Sequence, residues 1–233
     1  GAGAQNSSSV TSTINITASN DTPVATAGAT LAYSENGSAA AIDTSITLSD
    51  ADDTQITGAT VTISSGFTTG DTLGFSTQNG ISGSYNSSTG VLTLSGSATV
   101  AQYQSALRTV TYSSSSEDPT STSASRTVSW QVTDANSDGA GAQNSSAVTS
   151  TINLTASNDT PVATAGATLA YSENGSAAAI DNTIALSDAD DSQITGATVT
   201  LSSGLTSGDT LGFTTQNGIS GSYNSSAGVL TLS

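Results

Sequence analysis

The sequence predicts an all-β chain of tandem antiparallel β-sandwich modules, with a repeat of 138 residues and one short helix per module. Three observations lead there. Residues 1–95 recur at 139–233 with a constant offset of 138, and only 11 of those 95 positions differ, mostly as Ile/Leu, Ser/Thr or Ser/Ala exchanges. A long, near-identical period marks an array of stacked units. Segments such as Arg126-Thr127-Val128-Ser129-Trp130-Gln131-Val132 alternate strictly, as do Val10, Ser12, Ile14 and Ile16 against Thr11, Thr13 and Asn15. Period-two alternation rich in Thr and Val is the pattern of half-buried strands. Turn signals punctuate the strands at short intervals, as in a sandwich.

The elements follow in order. Strands are expected over 29–34, 45–48, 57–65, 73–77, 81–85, 90–95, 108–113, 126–134 and 147–156. Asn79-Gly80 is a tight-hairpin signal between two of them. A single helix is expected after Thr99. Thr99 caps it, Gln102 stands three residues on as in a capping box, and Val100, Tyr103 and Leu107 share a face. The predicted core is Val61, Ile63, Leu73, Phe75, Leu92, Leu94, Leu107, Val110, Tyr112, Val128, Trp130, Val132, Val148, Ile152 and Leu154. The expected organisation is a closing strand of a preceding repeat in 1–20, a complete module in 21–158 and the first part of the next module in 159–233. The window is out of frame with the period and has no starting Met, so the chain reads as a slice of a longer polypeptide.

Composition restricts function. A hydrophobic content of 34% with abundant Ser, Thr and Gly leans by itself toward disorder, but the alternation argues against it. Cys, His, Met and Lys are absent, and Arg108 and Arg126 are the only bases, leaving a net charge of −16. That field repels nucleic acid and anionic membrane surfaces, attracts cations and aids solubility. No stretch approaches the roughly 20 apolar residues that span a bilayer, so no membrane insertion is expected of this segment. Without Cys there is no disulfide scaffold, and without Cys or His a zinc or copper site is disfavoured. The usual partners that activate a nucleophilic Ser are missing, so an enzyme is not expected.

The carboxylates are unevenly placed. In the full module they are Asp21, Glu35, Asp43, Asp50, Asp52, Asp53, Asp71, Glu117, Asp118, Asp134 and Asp138, mostly at strand ends and in loops. Asp50-Ala51-Asp52-Asp53 packs three like charges into four residues, which is costly unless a cation or water screens them. Ca²⁺ takes six to eight oxygens from carboxylates, amides and carbonyls and tolerates varied geometry. Asp50, Asp52 and Asp53 are therefore read as metal ligands, whereas isolated residues such as Asp43 and Asp71 are read as turn-formers. The EF-hand loop pattern is not matched, so a calcium site must be assembled from separated segments.

These motifs resemble those of a known family. Asn20-Asp21-Thr22-Pro23, repeated as Asn158-Asp159-Thr160-Pro161, resembles the linker between cadherin repeats. Glu35 resembles the early Glu of such a repeat, Asp50-Ala51-Asp52 its Asp-x-Asp element, Glu117-Asp118 its mid-module acidic pair and Asp134-Ala135-Asn136 its late Asp. The whole chain is similar to cadherin-like tandem repeats of giant bacterial surface adhesins. The resemblance implies an Ig-like/cadherin-like sandwich, a location at the bacterial cell surface, and Ca²⁺ at each joint. For the joint near 158 it implies Glu35, Glu117 or Asp118, Asn158, Asp159, Asp188 and Asp190, with Asp191 a further candidate. For the joint near 20 it implies Asn20, Asp21, Asp50, Asp52 and Asp134. The linker lacks the leading Asp and second Asn of the vertebrate consensus, and the mid-module Asp-Arg-Glu is missing, which argues for one or two ions per joint.

The expected function is a calcium-stiffened extender of an extracellular adhesin, whose partners are the neighbouring repeats of the same chain. Two alternatives stand beside it. One is a subunit of an extracellular filament or sheath that self-associates laterally through Ser/Thr faces. The other is a carbohydrate-binding module using Tyr33, Tyr85, Tyr103 or Trp130. Trp130 stands in an alternating strand, which favours a core role. The Asn-x-Ser/Thr sequons at Asn6, Asn15, Asn86 and Asn153 arise readily in Thr/Ser/Asn-rich strands and carry little weight.

Overall fold

A computed structural model describes residues 1–137 and 139–233; Asp138 lies outside the described residues. The chain divides into two compact units, Gly1–Ala156 and Ser157–Ser233.

The first unit is a β-sandwich. Its strands are β1 (Val24–Thr26), β2 (Thr30–Ser34), β3 (Ala40–Ala41), β4 (Thr47–Ser49), β5 (Gln55–Ser65), β6 (Asp71–Gly74), β7 (Ser82–Asn86), β8 (Val91–Thr99), β9 (Thr111–Ser114), β10 (Ser125–Asp134) and β11 (Val148–Thr155), with helix α1 (Val100–Leu107) between β8 and β9. One layer is a six-stranded sheet in the order β2-β11-β10-β5-β8-β7; the other holds β3-β9-β6, with β1 paired to β4. Pairings are antiparallel except β2 with β11, where Thr30–Ser34 run parallel to Thr151–Thr155. The start of the module is thereby hydrogen-bonded to its end. Long alternating strands form because their inward set, Val61 and Ile63 on β5 and Val128, Trp130 and Val132 on β10, is buried, while the Thr and Ser between them stay on the solvent face. Tyr33 from one layer meets Tyr112 from the other edge to face, with ring centroids 5.0 Å apart.

The helix forms where the capping pattern places it. Thr99 Oγ1 accepts from the Gln102 backbone N–H at 3.2 Å, and Gln102 Oε1 accepts from the Thr99 N–H at 2.9 Å. Tyr103, Ala106 and Leu107 turn inward and close the core.

All the predicted core residues are buried except Phe75 and Val148, which are partly buried against the cluster. Tyr33, Ile42, Ile46, Ile56, Ile81, Tyr103 and Ala106 join them. Strands β1 and β3 lie in stretches that show no alternation, and at two or three residues they are too short to display a period. Asn79-Gly80 does make a tight turn, with positive φ at both residues and mutual bonding of Gln78 and Ile81. Gln78 and Ile81 form an antiparallel bridge across it, but the hairpin stops there: β6 and β7 belong to different sheets, so the turn carries the chain from one layer to the other.

Residues 1–19 hold no strand and are exposed. The second unit has β12 (Val162–Thr164) paired to β13 (Ala185–Ser187), and β14 (Ala197–Thr200), β15 (Gly221–Asn224) and β16 (Val229–Leu232) in the order β14-β16-β15. These reproduce the β1/β4 pair and the β5-β8-β7 part of the first unit.

Candidate metal sites at the two poles of the module

Strand register fixes where the carboxylates gather. β10 begins at Ser125, opposite Asn153, and ends at Asp134, opposite Ile56. Its ten residues span about 30 Å at the usual rise per residue. Glu35 follows β2 at the end where β11 finishes, and its N–H donates to Thr155 O at 2.9 Å. Asp134 and the turn before β5 lie at the other end. The module therefore has two acidic poles.

The pole near Asn20 is the more elaborate. Asn20 Nδ2 donates to Asp134 Oδ2 at 2.9 Å, and Gln143 Nε2 donates to Asn20 O at 2.7 Å. The Gln143 N–H donates to Asp134 Oδ1 at 2.6 Å, so both oxygens of that carboxylate, fully shielded from solvent, are satisfied. Asp21 is tied in through its own N–H, which reaches Asp52 Oδ2 at 3.0 Å. Asp50 Oδ1 accepts from the N–H groups of Asp52 and Asp53 at 3.2 and 2.9 Å, the local turn that short acidic side chains make. Asp53 Oδ1 accepts from Ser137 Oγ.

Three buried oxygens at this pole have no donor among the described residues: Asn20 Oδ1, Asp50 Oδ2 and Asp53 Oδ2. Asn20 is 7% and Asp53 4% exposed. Burial pushes the Asp50 carboxyl above its usual range, and the neighbouring Asp52 adds to the rise. Unmet acceptors so well shielded are rare in native proteins, and a cation or water is the ordinary explanation. Asp52 is exposed and half engaged. Asp134 is a brace that holds Asn20, rather than an open ligand.

The second unit repeats the arrangement. The Asp159 N–H donates to Asp190 Oδ2 at 3.2 Å, as Asp21 does to Asp52. Asp188 Oδ1 accepts from the N–H groups of Asp190 and Asp191 at 3.4 and 3.2 Å. One oxygen from each of Asp188, Asp190 and Asp191 lies within 4.8 Å of the others. Asp188 and Asp190 titrate as a pair, the hydrogen bond between them lowering the first and raising the second. Asp190 Oδ1 is buried and has no donor among the described residues. Asn158 donates to Asp159 O at 2.7 Å. Among the described residues Asp50, Asp52 and Asp53 do not form a cluster of that tightness.

At the opposite pole of the first unit Glu35 is buried and Glu117 exposed. Asn36, held at positive φ, donates to Glu117 Oε2 at 3.3 Å, which sets Glu117 beside the Glu35–Asn36 turn. Asp118 is used locally: Thr120 Oγ1 and Ser121 Oγ donate to its side chain and carbonyl. Of the alternatives Glu117 or Asp118, Glu117 is therefore the one placed beside Glu35.

Asp43 and Asp71 are more than turn-formers. Asp43 is fully buried and accepts from the N–H groups of Gly28, Ala29 and Ser45 and the hydroxyls of Ser45 and Ser150, at 2.7 to 3.0 Å. These bonds outweigh burial and hold its carboxyl well below the usual range. Ser150 Oγ in turn accepts from Trp130 Nε1 at 3.0 Å. Asp71 pairs with buried Arg126. Sequence parity carried a signal for the latter, since Arg126 falls in step with inward Val128, Trp130 and Val132.

Three of the four aromatic residues considered for sugar binding are in the core. Trp130 is 1%, Tyr33 3% and Tyr103 0% exposed. Tyr85 is half-buried, and its hydroxyl donates to Asp71 O at 2.7 Å.

Comparison with known proteins gives one informative similarity. The chain is 40% identical over 109 residues to halomucin of Haloquadratum walsbyi, a match that covers 44% of this chain and 1% of that protein. The chain thus spans only a small fraction of the relative's length. No family model matches it, and no solved structure matches it significantly.

Proposed function

We propose that this chain is a spacer segment of a large extracellular surface protein, with modules whose linkers are stiffened by Ca²⁺. The observation that carries the reading is the set of buried oxygens at Asn20, Asp50 and Asp53 that find no donor among the described residues. Hard oxygen donors from two carboxylates and an amide, with exposed Asp52 and Asp21 beside them, match the donor chemistry of Ca²⁺. Recurrence of the acidic turn at Asp188, Asp190 and Asp191 supports one such site per repeat. Each linker residue is already anchored to the turn it leads into, Asp21 on Asp52 and Asp159 on Asp190. A cation there would neutralise the turn and fasten the linker, so binding energy becomes stiffness and stability. Glu35 and Glu117 would serve the opposite pole.

The similarity to a stretch of halomucin supports the extracellular setting. The matched protein is archaeal, so the surface role is proposed without a bacterial assignment. An adhesin is the full-length role this spacer best suits, and a structural rather than catalytic part fits a chain without His, Cys or Lys. Small-angle scattering of the full chain in Ca²⁺ and in EGTA tests the reading. A longer, less flexible particle with Ca²⁺ supports it; superimposable profiles overturn it.

A further inference from the structure

We propose that the outer face of the six-stranded sheet packs against the same face of a second copy of this chain. The face is built in ranks by the strand register. One rank runs Thr149, Ser129, Thr62, Val91, Asn86, and the next Gln131, Thr60, Thr93, Ser84. A third joins Thr30, Thr151 and Thr127, and a fourth joins Thr133, Gly58, Ser95 and Ser82. None of these positions is charged, in a chain of net charge −16. The acidic residues described in this unit sit at the poles or in the interior.

Two observations select a second copy as the occupant. Elsewhere the charge of this chain opposes self-association, whereas two copies meeting on this face bring no like charges together. Each hydroxyl both donates and accepts, so a rank of Thr and Ser is complementary to itself, as a two-fold interface requires. Twelve of these sixteen positions have a counterpart in the other copy of the sequence, and all twelve are identical there. Six strands at about 4.8 Å spacing, over about 20 Å of strand, present roughly 600 Å² per module. That is below the about 800 Å² per partner of a stable interface. One module therefore binds weakly, and repeats arrayed in register multiply the contact.

The test is sedimentation velocity of the full chain over a wide concentration range, in EDTA. The average mass should rise with concentration. Thr62→Glu and Ser129→Glu should each weaken association at least tenfold, because they place like charges face to face. Thr72→Glu, exposed on the other sheet, should leave it unchanged. Far-UV circular dichroism and melting of each variant confirm that the fold is retained. A chain that stays monomeric, or one whose association ignores Thr62→Glu and Ser129→Glu, overturns the proposal. So does association seen only with Ca²⁺, which would assign it to the acidic poles.

Discussion

Arg126 Nε lies 2.7 Å from Asp71 Oδ2, and neither side chain is exposed to solvent. Tyr112 donates to the other Asp71 oxygen at 2.6 Å, and the Thr68 N–H donates to Oδ2 at 2.9 Å. Arg126 also reaches the carbonyls of Ser123 and Pro119 at 2.8 Å. One of two bases in the chain is thus spent on joining the sheets. Breaking such a pair strands a buried charge, at a cost of about 3–5 kcal/mol. Asp71→Ala or Arg126→Ala should lower stability by that amount in urea unfolding. The double replacement Asp71→Leu/Arg126→Met should cost less than either alone.

Asp43 organises the turn before β2 and, through Ser150 and Trp130, the centre of the six-stranded sheet. Asp43→Asn keeps the size but loses charge-assisted acceptance, which should cost about 2–3 kcal/mol. Its folded carboxyl is depressed, so its stabilisation is fully present above the unfolded value of about 4 and drains away as pH falls below that. Melting temperature should drop more steeply with acidification in the parent than in Asp43→Asn.

Asp50 has the opposite sign. A folded carboxyl raised above its unfolded value binds protons preferentially in the native state, so stability rises as pH falls from the raised value toward about 4. In EDTA, this component should favour pH 5 over pH 7. Saturating Ca²⁺ should erase it, since the ion and the proton compete for the same oxygens. Comparing parent and Asp50→Asn melts at both pH values isolates the contribution.

Replacing a ligand should separate metal affinity from stability. Asp50→Asn and Asp53→Asn remove charge from a site with unmet acceptors, so each should hold or gain stability in EDTA. Each should also lose most of the Ca²⁺-induced shift in melting temperature. Destabilisation by several kcal/mol in EDTA would instead mark these residues as ordinary structural acceptors.

The fold was legible because its long strands alternate and its helix carries a complete capping box. Residues 10–17 and 148–155 show where that legibility stops. The two segments differ only at Ile16/Leu154, yet Ile14 is 84% exposed and Ile152 fully buried. The segment 148–155 lies between β10 and β2, whereas 10–17 has no partner strand. Pattern names a strand candidate; the neighbouring strands decide whether it forms. The candidate site was legible as an acidic turn and a linker motif. The bracing of Asn20 by Asp134 and Gln143 was not, since it joins positions 114 and 123 residues apart. A lone Asp looks the same in sequence whether its donors are local or distant, so the pattern at Asp43 and Asp71 indicates no more than a turn.

Thermal unfolding of the full chain in EDTA and in millimolar Ca²⁺, beside the Asp53→Asn variant, tests the central claim most directly. At a hundredfold excess over Kd the ion should add about 2.7 kcal/mol, or roughly 8 °C for a chain of this size. The variant should lose most of that shift. Equal melting temperatures for the parent with and without Ca²⁺ would contradict the account.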